Sequence, residues 1–196
     1  MRPKLVYRKI GAYAGIAAPI VGFIFILSAI ESYPQFSWTN NALSDLGVVS
    51  GLTAPLFNFG LIASGFLAFI FAVVGLFNYF DRSLVGRAGV EAFEAATLAL
   101  IGIGIFNENF QDTHYILSVA FFLLAPVSLF VLTCAFWISH RRGMSVFTLL
   151  VGVATALPWL LQFTFNYVPN VAIPEFISGL VVSVWTVVLG EKRLKP

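Results

Sequence analysis

The residues of this chain that could perform chemistry are mainly acidic and amide side chains in two loops and at nearby ends of apolar segments. Asp45 follows Ser44 in one loop, and Glu108 follows Asn107 in another, shortly before His114. Carboxylates beside a histidine can exchange protons or hold a polar ligand by hydrogen bonds. We expect one binding site to be formed by Ser44, Asp45, Asn58, Asn107, Glu108, His114 and Glu175.

None of these residues can be assigned a catalytic role from its surroundings in the sequence. Ser44 has no histidine base nearby, and the chain contains no nucleophile elbow and no Gly-rich phosphate loop. A mixed metal site around His114 would have carboxylate partners only, whereas zinc sites usually show further His or Cys ligands. The sequence therefore disfavours an enzyme, leaves catalytic residues unknown, and predicts neither a metal nor another cofactor.

Each candidate residue also has a purely structural alternative. Asp45 can organise the turn before Gly47, and Asn107 can end a helix. Glu175 directly follows Pro174 at the start of an apolar segment, where the helix dipole favours a carboxylate. The types of these residues do not decide between a binding site and a set of caps and turns.

The composition places these polar groups in a membrane protein. Of the 196 residues, 59% are hydrophobic and only 10% are charged, whereas about 25% are charged in a soluble domain. Apolar runs in a bilayer must satisfy their own backbone hydrogen bonds, and a helix of about 20 residues does so while crossing it. We predict one all-α domain over residues 1–196, a bundle of six transmembrane helices at about 10–30, 55–80, 88–106, 115–139, 144–165 and 172–190.

All basic residues of the chain fall on one side of this six-span arrangement. The first, third and fifth loops contain none of them. Because short cytoplasmic loops retain Lys and Arg, we predict a multi-pass protein of the cell membrane with both termini cytoplasmic and the candidate site outside. The basic residues are Arg2, Lys4, Arg8, Lys9, Arg82, Arg87, Arg141, Arg142, Lys192, Arg193 and Lys195.

The small net charge of +2 does not indicate a nucleic-acid partner. Membrane lipids are the expected partners, and nothing in the sequence identifies a protein partner.

Glu94 is an acidic residue that stands apart from the candidate site. It lies about 9 Å into the third span from Ala88 and one helical turn from Glu91. Carboxylates inside a membrane are functional hypotheses by default, so Glu94 is compatible with proton coupling or gating. The alternative is packing against a polar neighbour.

Two blocks of the sequence form recognisable motifs. The first is Ala42-Leu43-Ser44-Asp45-Leu46-Gly47, before the second span, and the second runs from Gly104 through Asn109 to His114. Both resemble the DUF998 family, multi-pass membrane proteins of archaea and bacteria. Many members have proline where Asn107 stands. The resemblance covers nearly the whole chain and implies a fold class but no activity.

The same blocks more distantly resemble the Frag1/DRAM/Sfk1 group of six-span proteins, which is associated with membrane lipid organisation. That resemblance implies roles for Ser44, Asp45, Asn107, Glu108 and His114.

Three functions remain open from the sequence. The first is the binding or handling of a lipid or amphiphile at an outward-facing polar pocket. The second is a structural or accessory role without a ligand site. The third, a small-solute or proton-coupled transporter, requires a polar path through the membrane. Between the candidate site and Glu94 the spans offer little beyond Ser64, Thr97, Ser118 and Ser128.

Overall fold

The computed structural model describes residues 3–80 and 83–195, with side chains from Val6 onward, as a bundle of six long helices. The prediction of an all-α, six-helix protein is confirmed, and the described residues contain no strand. Of the predicted basic face, Arg2 and Arg82 lie outside the described residues, as do residues 1, 81 and 196 of the predicted domain. The helices are α1 (Pro3–Glu31), α2 (Thr53–Ile70), α3 (Leu84–Ile105), α4 (Asp112–Ile138), α5 (Arg142–Phe165) and α6 (Ala172–Leu194).

All six helices are long and apolar enough to cross a bilayer. Their most apolar windows have mean hydropathies from 1.6 to 2.5. The helix α2 and the turns that continue it to Tyr79 form one span of 27 residues. The shortest span is therefore α3, which has 22 residues and is about 33 Å long, more than the hydrocarbon thickness of about 30 Å. Large apolar side chains on the outside of the bundle, such as Phe66, Leu123 and Phe163, are exposed to 57%, 59% and 82%. Such a surface suits lipid, so the chain is a multi-pass membrane protein.

The helices form a closed ring in which each packs on the next in sequence and α6 returns to α1. The α1–α2 connection (residues 32–52, called loop 1), the α3–α4 connection and the α5–α6 connection lie together at one end of the bundle. We call this the acidic end. The opposite end, where α1 begins, α6 ends and α4 is joined to α5, is the basic end. Which side of the membrane each end faces stays a prediction.

The half of the bundle near the basic end has an aromatic core. Phe71, Phe136 and Trp185 are fully buried there. Trp185 Nε1 donates a hydrogen bond to Thr148 Oγ1 at 3.1 Å, so neither buried polar group lacks a partner. Phe93 lies at the edge of this core, with its ring centroid 5.5 Å from that of Trp185. The half of the bundle near the basic end is therefore well packed.

The second span changes its helical winding where it makes a close backbone contact with α1. After Ile70 the chain continues as a π-helical segment, Phe71–Leu76, and then as a short 3₁₀ turn that ends at Tyr79. A Cβ atom on Gly11 would lie 2.5 Å from the backbone nitrogen of Gly75. Glycine is required there because α1 and the π-helical segment touch through their backbones.

Candidate functional site

Loop 1 crosses the acidic end and pairs with the α5–α6 connection. The backbone nitrogen of Asn170 donates to the carbonyl oxygen of Thr39 at 3.0 Å, and that of Ala172 donates to Asn41 at 3.0 Å. Residues far apart in the chain therefore share backbone hydrogen bonds, as neighbouring strands would, without forming a sheet. This pairing holds loop 1 over the beginning of α6.

The part of loop 1 that follows contacts the α3–α4 connection through candidate residues. Ser44 Oγ donates to Glu108 Oε1 at 2.7 Å. Asn107 Nδ2 and Asn58 Nδ2 both donate to the carbonyl oxygen of Gly47, at 3.2 Å and 3.0 Å. Asn58 Oδ1 is buried and has no hydrogen-bond partner among the described residues. The structure thus brings four of the predicted site residues together at one place.

Glu175 connects α6 to the same loop. It is buried in the first turn of α6, and its Oε2 accepts a hydrogen bond from the backbone nitrogen of Leu43 at 2.6 Å. The sequence alternative placed this carboxylate at a helix N-terminus, and the structure shows that position together with a contact to loop 1. Loop 1 is therefore fixed to α2, α6, the α3–α4 connection and the α5–α6 connection.

Glu108 lies in an electrostatic environment set by several of its neighbours. Burial raises the pKa of Glu108 above its ordinary value of 4.5; the Ser44 hydroxyl and the nearby His114 oppose this rise, and the negative charge of Asp45 adds to it. The Asp45 carboxyl group therefore lies near enough for its charge to act on Glu108. A polar ligand at this point would meet two adjacent carboxyl groups.

Asp45 also has the structural role that the sequence alternative gave it. Its Oδ2 accepts hydrogen bonds from Asn41 Nδ2 at 2.7 Å and from the backbone nitrogen of Ala42 at 3.0 Å. These contacts stabilise the turn that leads into the short helix Ser44–Val48 of loop 1. Asp45 therefore stabilises the conformation of loop 1, and its charge also acts on Glu108.

His114 is held by its own surroundings and not by the carboxylates. The ring is buried; Nδ1 lies 2.8 Å from the carbonyl oxygen of Phe106, and Nε2 lies 3.4 Å from Ser118 Oγ. Since a carbonyl oxygen only accepts, Nδ1 carries a proton and donates it to that bond. The hydrogen bond to Phe106 makes His114 a link between α4 and the end of α3. No group of three His, Cys, Asp or Glu side chains in the described part of the chain could hold a metal ion.

A long apolar cavity lies directly beneath loop 1, between α1, α2, α3, α4 and α6. Its volume is about 130 Å³, and it follows α2 from Phe57 to Ala68, a distance of about 16 Å. Ser44 and Glu175 line its upper end, and Phe93 lines it near the aromatic core. The remaining wall is apolar apart from a few hydroxyl groups, at Ser64, Thr97, Ser118, Ser183 and Thr186.

Sequence reasoning did not find this cavity. Space for it exists because small residues occupy facing positions, among them Ala18 and Gly22 on α1 and Gly179 on α6. A Cβ atom on Gly179 would have nothing within 4 Å. Small residues in an apolar run were the available signal, but they equally indicate close helix packing.

Glu94 does not belong to the cavity or to the cluster beneath loop 1. It is half-buried on α3, and the cavity is lined on this helix by its neighbours Phe93, Ala96 and Thr97. Thr97 Oγ1 donates to the backbone oxygen of Glu94 at 2.7 Å. The structure therefore separates this carboxylate from the other candidate residues.

The fold and the site together define a six-helix membrane protein with a capped apolar cavity inside the bundle. The chain belongs to the DUF998 family: the family model, described as a protein of unknown function, matches residues 16–191. That range includes loop 1, the cavity and all the candidate residues. No curated protein and no solved structure matches the chain.

Proposed function

We propose that this protein binds a lipid or another amphiphile in the cell membrane. The hydrocarbon part occupies the cavity, and the polar part lies against the carboxyl groups beneath loop 1. One observation carries the proposal: Ser44 and Glu175 line the upper end of the apolar cavity and also make the hydrogen bonds that hold loop 1 in place. Membrane lipids are accordingly the proposed partners.

The dimensions of the cavity limit its occupant to one narrow apolar group, such as part of a single hydrocarbon chain. Apolar cavities of about 150 Å³ stay dry and bind small apolar molecules, and this cavity has a similar volume of about 130 Å³. Its length of about 16 Å along α2 makes it narrow. A narrow apolar space with polar groups at one end matches a molecule with a polar group at one end of a chain.

Two other functions are supported less well. Transport would require polar groups along a path, but the wall between Ser64 and Phe93 is mostly apolar and Glu94 lies apart from it. A purely structural role accounts for the hydrogen bonds of Ser44 and Glu175 but leaves the cavity without a purpose. The distant resemblance to the Frag1/DRAM/Sfk1 group stays a prediction, and the proposal does not depend on it.

Filling the cavity tests the proposal. Gly179 lines the cavity, and a Cβ atom there has nothing within 4 Å, so the side chain of Gly179→Leu begins in open space. Native mass spectrometry of the protein purified with its lipids should show a retained amphiphile on the wild type and its loss from this variant. Gly143→Leu is the matched control, because Gly143 also has nothing within 4 Å but lies at the basic end.

Both substitutions replace a helical glycine and should raise helix propensity by about 0.8–1 kcal/mol, so neither should impair folding. Equal retention by the wild type and both variants would contradict the proposal and favour the accessory role.

We also propose that the acidic end faces outward. The support is the distribution of Lys and Arg, none of which occurs in the three connections at that end.

A further inference from the structure

A second pocket, independent of the cavity, lies at the basic end of the bundle. Its volume is about 390 Å³, and none of the described acidic residues lines it. Its floor is apolar, with Leu76, Met144 and Leu189. Its polar wall is formed by Arg8, Tyr79, Arg141, Lys192, Arg193 and Lys195.

The polar wall is assembled from four separate elements, and two of its arginines lie over the same aromatic ring. Tyr79 belongs to the 3₁₀ turn that follows α2. The guanidinium carbon of Arg141 lies 4.5 Å from the centre of the Tyr79 ring, and that of Arg193 lies 4.7 Å from it. Cation–π contacts of this kind fix the position of a guanidinium group and leave its N–H donors free.

Two arginines of the polar wall have a buried guanidinium nitrogen without a hydrogen-bond partner among the described residues. Arg8 Nε and Arg193 Nε are buried without a hydrogen-bond partner among the described residues. The side chains of both residues are half-buried, and the charges of Arg8 and Arg141 act on Arg193. Like charges brought together with unpaired donors are unfavourable unless an anion joins them.

We propose that this pocket binds a phosphate group. A phosphate offers several acceptor oxygens, and guanidinium groups can pair with them by two parallel hydrogen bonds. The phosphate belongs either to the headgroup of an anionic phospholipid or to a soluble phosphorylated molecule. The retention of Lys and Arg on the cytoplasmic side explains why many basic residues lie at this end. It does not explain why Arg141 and Arg193 both lie over Tyr79. Nor does it explain why Arg8 and Arg193 have buried nitrogens without a partner among the described residues.

Two adjacent arginines provide a matched pair of variants. Arg141 and Arg142 are both exposed and lie next to each other at the start of α5. Arg141 lines the pocket, whereas Arg142 does not and instead lies over the ring of Trp137, with its guanidinium carbon at 3.9 Å. Arg141→Gln and Arg142→Gln therefore remove the same charge from the same end, and only the first changes the pocket.

The two sources of phosphate are tested in separate arms. In the first, native mass spectrometry measures the binding of phosphatidylglycerol and phosphatidylcholine to the delipidated protein. In the second, the shift in Tm caused by inorganic pyrophosphate is measured in detergent without phospholipid. Whichever of the two probes binds the wild type, phosphatidylglycerol or pyrophosphate, we expect Arg141→Gln to weaken its binding by about tenfold. Arg142→Gln should change this binding little. Arg193→Lys, which keeps the charge but loses the two-bond geometry, should weaken it as well.

The results distinguish the sources and can also overturn the proposal. A preference for phosphatidylglycerol that Arg141→Gln removes identifies a lipid headgroup. A pyrophosphate shift that Arg141→Gln removes, with no preference among lipids, identifies a soluble phosphate. Equal effects of the two glutamine variants, or no binding of either probe to the wild type, would overturn the proposal. None of these outcomes depends on whether the apolar cavity holds an amphiphile.

Discussion

Replacing Ser44 with alanine removes a single hydroxyl group and one hydrogen bond between loop 1 and the α3–α4 connection, while the bond from Asn107 to Gly47 remains. The hydrogen bond from Ser44 to Glu108 Oε1 is 2.7 Å long. A bond to a charged group contributes about 1.5–3 kcal/mol when buried. Because Glu108 is only half-buried, solvent screening reduces this to about 1–2 kcal/mol. At about 2–4 °C for each kcal/mol in a chain of this size, the Tm should fall by about 2–8 °C.

The loss of stability should depend on pH because Glu108 titrates. Burial raises its pKa in the folded state above 4.5. Between that pH and the raised value the folded state binds more protons than the unfolded state, so the free energy of unfolding falls as the pH rises. The Ser44 hydroxyl limits this fall by lowering the pKa of Glu108. Ser44→Ala should therefore cost more stability above the raised pKa than below it.

The assay is thermal unfolding of the detergent-purified protein, followed by tryptophan fluorescence at about pH 4.5 and about pH 7.5. The control is the same substitution in a Glu108→Gln background, where no carboxyl group titrates at this position. There the cost of Ser44→Ala should be the same at both values of pH. If the wild-type background also shows equal costs, the assignment of this pH dependence to the Ser44–Glu108 pair is refuted.

Two further predictions concern the helix packing and the orientation of the bundle. Gly11→Ala places a Cβ atom 2.5 Å from the backbone nitrogen of Gly75 and should lower the free energy of unfolding by about 1–3 kcal/mol. Gly143→Ala, measured alongside it by thermal unfolding, should have no destabilising effect. In a Cys134→Ala background, a membrane-impermeant maleimide should label Ser50→Cys in loop 1 but not Gly143→Cys at the basic end of intact cells. Labelling of the basic end alone would mean that the proposed orientation is wrong.

The membrane spans could be predicted because the bilayer imposes one simple requirement on every residue within it. The third span was predicted at about 88–106, and α3 runs over Leu84–Ile105. The first was predicted from Ile10, but α1 already begins at Pro3. Apolar runs mark the hydrocarbon layer, whereas a helix can continue into the headgroup region, where basic side chains are tolerated.

The candidate site could be predicted only in part, because side chains from different helices meet in ways that no local pattern records. Topology placed Ser44 and Glu108 at one end, and the structure joins them by a hydrogen bond. His114 was expected to pair with carboxylates, yet both ring nitrogens face Phe106 and Ser118. The conformation of the α3–α4 connection determines which groups His114 contacts, and hydrophobic patterning does not specify that conformation.

The basic pocket was beyond sequence reasoning for the same reason. The basic residues were used only to orient the spans, since Arg8 and Arg193 lie at opposite ends of the chain. They meet because α6 packs against α1 and closes the ring. A ring closure of this kind depends on the shapes of all six helices together, not on any one of them.

The contact between Leu43 and Glu175 has a consequence for the biogenesis of the protein. It joins residues that are 132 positions apart. During synthesis α1 and α2 are made first, and the segment containing Glu175 emerges last among the helices. Until α6 has been inserted, the backbone nitrogen of Leu43 lacks its acceptor and loop 1 lacks its support. The acidic end is therefore completed only after α6 has been inserted, and a chain truncated before α6 would be left with an open ring.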